Sequence, residues 1–218
     1  MTLSPTTQGE NQEYCKQTLF EDALRTPLLV SVPWLPSSFG RASQSLVELI
    51  DVFPTLQSLA GFEVSAFLEG VSHAHEIQGS PPPAHKRGGN RSRFAQGRGG
   101  NRSRFALAQF PRCVPAGANA SLDWRRNSCN RNTSNQFTAM GMSLRTSDGW
   151  RYTRWVRWMA RELAPDWTRD FGEELYDLRT DSADGDLDAQ SDNVAAKPEN
   201  AALVATLRAA MQKAFSRK

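Results

Sequence analysis

The chain of 218 residues is poor in cysteine, histidine and tyrosine, with three of each, and it contains no apolar run of the length a membrane helix needs, roughly 20 residues. Each shortage excludes something. Cys15, Cys113 and Cys129 make no CxxC spacing, which removes a cysteine-ligated zinc module and a dense disulfide framework. A single Cys113–Cys129 bridge stays open, and only in an oxidising compartment. The histidines, His73, His75 and His85, sit close together, but His73-Ala74-His75 has no further ligand nearby, so no metal centre is expected there. The opening "MTLSPTTQGE" has neither the basic start nor the apolar core of a signal peptide, so the chain reads as soluble and without an address. Acid is missing from one stretch altogether: Ala84 to Ala106 holds seven Lys or Arg and no Asp or Glu, and the formal charge of +3 therefore hides a net acidic remainder.

That basic stretch contains RGGNRSRFA twice, at 87–95 and 98–106. Two copies are too few to bury a solenoid face, so the sequence indicates a duplication inside a loop. Arginines interleaved with Phe94 and Phe105 are also the composition of a flexible RNA-binding segment, guanidinium for phosphate and ring for base. The simpler reading is a solvated insertion. The acidic run Asp181 to Asp192 has calcium-loop composition without the order of ligands or the closing Glu, and reads as a solvated turn.

Around this centre the ends look ordered. "TPLLVSV" reads as a buried strand. In "SQSLVELIDVFPTLQSLAGF" the proline at 54 is tolerated only near a helix start, which predicts a strand at 45–50, an N-cap at Asp51, a helix through Ala60 and a stop at Gly61. From Glu69 to Ala106 no regular structure is expected. "AMGMSLRTSDGWRYTRWVRW" predicts a hairpin turning at Asp148-Gly149, with Met140, Met142 and Leu144 on one face. Rings mixed with arginines in its second strand follow from alternation and need no ligand. "ELYDLRTD" supplies a further strand. "KPENAALVATLRAAMQKAF" predicts a terminal helix with Pro198 in its first turn and Leu203, Leu207 and Met211 along one stripe. Strands and helices in this order indicate an α/β protein.

Taken in sequence, "GENQEYCKQTLFEDALRTPLLVSVP", "SLVELIDVFPTLQSLAG", "LEGVS", "ALAQFPRC", "TAMGMSLRTSDGWRYTRWVRW", "ELYDL" and "NVAAKPENAALVATLRAAM" resemble the C-terminal part of the sulfatase family, in its iduronate-2-sulfatase branch. The resemblance implies a sulfatase/alkaline-phosphatase-like fold. Residues 1–68 would end the large mixed-sheet α/β domain, 69–106 would be a loop insertion, and 107–218 would form a small antiparallel sheet with a C-terminal helix.

In activity the resemblance implies hydrolysis of a sulfated sugar. In that family a formylglycine made from the cysteine of a CxPxR motif attacks sulfur, and a calcium ion neutralises the sulfate oxygens. A family lysine that reaches those oxygens falls at Lys16, which is therefore the expected catalytic and substrate-binding residue. The departures are specific. Leu3 and Ser4 stand where the metal-binding Asp-His pair should fall, Asn11 where the branch commonly has histidine, and "CVPAG" at 113–117 has glycine in place of the arginine of CxPxR. The resemblance thus implies no metal ligand and no nucleophile in these residues, a missing N-terminal half as partner, and inactivity alone. Sequons at Asn90, Asn101, Asn119 and Asn132 would be glycan acceptors in a secreted protein, and family members are usually lysosomal, secreted or periplasmic. The competing expectation is a non-catalytic binder whose basic loop captures RNA or a sulfated polyanion, with nucleic acid the weaker partner. Steep salt dependence would mark it.

Overall fold

The computed structural model describes residues 7–8, 14–15, 17–80, 105–113, 137–179 and 190–216. Two compact units result, one from residues 1–26 and 107–218 and one from 27–106.

The first unit is built on a four-stranded sheet in the order β3 (Phe105–Arg112), β4 (Ala139–Thr146), β5 (Trp150–Met159) and β6 (Ala164–Asp177). β4 and β5 pair antiparallel from Ala139↔Arg157 to Arg145↔Arg151. The hairpin lies where the Asp-Gly signal places it, but its connection has three residues, 147–149, and only Gly149 takes positive φ (100°). The two-residue turn with both positions left-handed is therefore replaced by a longer one ending in glycine. β5 and β6 are also antiparallel. Their register slips twice around Val156, so Phe171 and then 167–169 fall out of the ladder.

Both faces of this sheet are covered. On one, Met140, Met142, Leu144, Tyr152, Val156 and Leu175 are buried beneath α4 (Ala201–Phe215), which contributes Val204, Leu207 and Met211. Val204 rather than Leu203 completes the buried stripe, and a 3-10 turn at Pro198–Asn200 leads in. On the other face lies the segment before the second unit. Leu19 packs with Ala139 and Trp155, and Leu24, Ala108, Phe110 and Phe171 surround them. Gly141 makes the room, since a Cβ there would lie 2.5 Å from Leu19 Cδ1 and 2.7 Å from Trp155 Cζ3. Short α1 (Glu21–Leu24) follows Leu19, and further back β1 (Thr7–Gln8) pairs antiparallel with β2 (Tyr14–Cys15).

The second unit holds α2 (Leu49–Leu59) and α3 (Ala74–Ile77). Two expectations fail here. Residues 45–48 form no strand, because the helix begins at Leu49 with Glu48 as N-cap and a reciprocal capping box between Glu48 and Asp51. Pro54 consequently lies inside the helix and leaves the Ile50 carbonyl without its i+4 donor. Gly61 ends the helix as expected: it has φ 82° and its N–H reaches the Ser58 carbonyl, while Phe62 N–H reaches Gln57. The second failure is "TPLLVSV". Residues 26–32 are not a strand, and Leu29 is 90% exposed, although Val32 is buried. A strand needs a neighbour to take its backbone groups, and none of the described residues pairs with it. α3 also lies in a stretch expected to lack regular structure.

Candidate functional site

Glu21 opens α1, and its carboxylate receives guanidinium groups from both strands of the β4–β5 hairpin. Arg151 donates from Nε at 3.0 Å and from Nη2, and Arg145 Nε donates at 3.4 Å. The Glu21 backbone N–H donates to Gln190 Oε1, which ties in the segment after β6. Arg151 is almost wholly buried, and its third arm, Nη1, donates to Ser143 Oγ at 3.0 Å, which also accepts from Thr153 Oγ1. Next to this, Glu174 accepts from Trp155 Nε1 at 3.0 Å and from Tyr176 OH at 3.3 Å.

Burial pushes the Glu21 carboxyl up, but the charges and hydrogen bonds of Arg151 and Arg145 outweigh it and hold the group below its ordinary range. Burial lowers the Arg151 guanidinium against the pull of Glu21. The cluster thus stays ionised and fully engaged. Its role is positional: it fixes the chain just after Lys16 on the sheet. Arg112 adds a second tether. It is buried, donates from Nη1 to the Gln17 carbonyl at 2.8 Å, and stacks over Phe110 and Trp155.

The second unit has its own polar cluster. Asp51 Oδ1 accepts from Val71 N–H at 2.8 Å and Oδ2 from Glu48 N–H at 2.9 Å, with His73 Nε2 3.5 Å from Oδ2. Burial raises the Asp51 carboxyl, and the His73 and backbone contacts more than reverse that.

Of the residues singled out in the sequence, Lys16, Leu3, Ser4, Asn11, His85, Cys129, the four sequon asparagines and most of the acidic run lie outside the described residues, as does the basic repeat up to Arg104. Cys113 is disulfide-bonded. His73 and His75 flank the start of α3, and among the described residues no group of three or more His, Cys, Asp or Glu could hold a metal ion. Among the described residues, the carboxylates nearest these histidines, Asp51 and Glu76, are bonded to backbone N–H, hydroxyl or imidazole groups. Glu21, Arg145 and Arg151 were not foreseen. They are 124 and 130 residues apart in sequence, and no local pattern links a carboxylate to arginines at that range.

A sheet covered on one side by a terminal helix and on the other by an ion-paired entry segment gives this chain a fold similar to part of the phosphonate monoester hydrolases. The chain aligns with the phosphonate monoester hydrolase of Silicibacter pomeroyi at TM-score 0.56 and 19% identity, covering 94% of this chain and 31% of that one. It aligns with that of Agrobacterium radiobacter at TM-score 0.55 and 18% identity, covering 91% and 31%. In sequence it is similar to the iduronate 2-sulfatases of mouse, 27% identical over 200 residues, and human, 28% over 198, in each case over 79% of this chain and 34% of the relative. The resemblance to sulfatases read from the sequence is thereby borne out. The chain spans about a third of the length of the curated relatives it matches. No family model matches it.

Proposed function

We propose that this chain serves a sulfuric ester hydrolase acting on a sulfated sugar, contributing Lys16 as a substrate-facing amine and depending on other polypeptide for the attacking group and the calcium ligands. The observation that carries this reading is the Glu21 cluster. "GENQEYCKQTLFEDALRTP" and "MGMSLRT…RYTRW", the most family-like blocks of the sequence, are joined through Glu21, Arg145 and Arg151. A sulfate monoester carries its charge on the non-bridging oxygens, so an ammonium held near them lowers the cost of the charge that develops as the ester bond breaks. The Glu21 and Arg112 tethers would restrain the chain on the C-terminal side of Lys16 and so limit where its amine can go. Calcium and formylglycine would come with the complete enzyme. The likeness to iduronate 2-sulfatases supports a sulfated sugar as substrate class.

The test is release of inorganic sulfate from an aryl sulfate. The 218 residues alone should release none, and chain supplied with a polypeptide bearing CxPxR and the Asp-His pair should turn over. Lys16→Met in that complex should cut kcat/KM about a hundredfold or more, the scale of losing one charged transition-state contact. Turnover by the chain alone, or an unaffected Lys16→Met complex, would overturn the reading.

A further inference from the structure

His73 is the one imidazole among the described residues that lies between two carboxylates from different elements. Its Nε2 is 3.5 Å from Asp51 Oδ2 on α2, and its Nδ1 is 3.3 Å from Glu76 Oε1 on α3. The ring and Asp51 are both buried. Separate hydrogen bonds of the same residues clamp the backbone, for Val71 N–H donates to Asp51 Oδ1 at 2.8 Å and His73 N–H to Thr55 Oγ1 at 3.0 Å, while Thr55 Oγ1 donates to the Asp51 carbonyl at 2.6 Å. Glu76 extends the junction, accepting from Ser43 Oγ at 2.9 Å through its other oxygen.

We infer that Asp51, His73 and Glu76 form a proton-operated latch that holds residues 71–77 against α2 while the imidazole is charged and loosens that hold when it loses its proton. The charge count requires this. A protonated ring offers an N–H to each acid, whereas a neutral ring has one, so either buried Asp51 or part-exposed Glu76 then faces a lone pair. The other groups facing the ring do not cancel the effect. Glu48 caps α2 with its side chain on the Asp51 backbone N–H, and His75 stacks on His73 at 6.4 Å and shares Glu76 Oε1 at 3.7 Å. Pairing with Asp51 raises the His73 pKa, burial opposes it, and Glu76 raises it further, for a net value above the ordinary imidazole. The latch is therefore closed below about pH 6.5 and is lost as pH rises through the higher folded value. It does not rest on the sulfatase reading.

The test is an imidazole NMR titration of the full chain, with amide exchange at Val71 and His73 corrected for the intrinsic rate. Protection should fall by up to about tenfold per pH unit in the window between the ordinary and the raised value. His75→Gln should keep that dependence, and His73→Asn should abolish it and leave protection low throughout. A His73 that titrates at or below the ordinary value, or amide protection that is flat across its titration, overturns the latch. Should His73→Asn fail to fold, the wild-type titration and exchange decide alone.

Discussion

At residue scale, Glu21 and Gly70 carry more than their neighbours. Glu21→Gln removes the charge that Arg151 was buried against, and breaking a buried pair from one side costs about 3–5 kcal/mol. An unfolding free energy lower by that much, read from the urea midpoint and slope, is the expected result. The pH sign follows from the lowered carboxyl. Its contribution is present above the ordinary value of 4.5 and is lost as pH falls through the lower folded value, so the melting temperature should drop below that pH in the parent and less steeply in Glu21→Gln. At Gly70 a Cβ would stand 1.9 Å from the Ile50 carbonyl oxygen, the very carbonyl that Pro54 leaves without a helical donor. Gly70→Ala must push the backbone away, at a cost on the order of 1–3 kcal/mol. Denaturant unfolding measures it, and a neutral result would mean that this approach is not a fixed feature.

At element scale, the hairpin and the terminal helix were legible because their signals are local. An Asp-Gly turn between two runs of alternating or β-branched residues, and a 3.6-residue apolar stripe after Pro198, need no knowledge of the rest of the chain. Leu207 and Met211 lie on the buried stripe as the sequence indicates, and Val204 takes the place expected for Leu203. Val204, Leu207 and Met211 face the sheet, so Leu207→Ala and Met211→Ala should each cost about 2–5 kcal/mol, and Leu203→Ala clearly less, by thermal or urea unfolding. α2 starts before the point that Pro54 alone indicates. The Glu48–Asp51 capping box starts it earlier, and a sixth-position proline forfeits only the Ile50 carbonyl's bond. "TPLLVSV" has strand composition, yet pairing is a property of two segments, and its apolar residues alone could not reveal whether a second one would be present.

For the molecule as a whole, the second unit displays apolar side chains that a soluble surface rarely gathers: Leu49, Phe53 and Leu56 on α2, with Leu28, Leu29, Trp34 and Phe67 nearby in sequence order or beyond it. Replacing Leu49, Phe53 and Leu56 by serine should reduce light scattering at fixed concentration and change the unfolding free energy of the chain by no more than about 0.5 kcal/mol per substitution, the range of ordinary surface changes. Composition, order of blocks and spacing by themselves determined the class of fold, the hairpin, the terminal helix and the likeness to sulfatases, since each is written in neighbouring residues. Only the tertiary structure decided that Glu21 answers to Arg145 and Arg151, that Glu48 rather than Asp51 is the N-cap while Asp51 faces His73, and that Arg151 and Arg154 of β5 lie inside. Those partnerships depend on which distant side chains the folded backbone brings within a few ångströms, and that distance is absent from any local pattern.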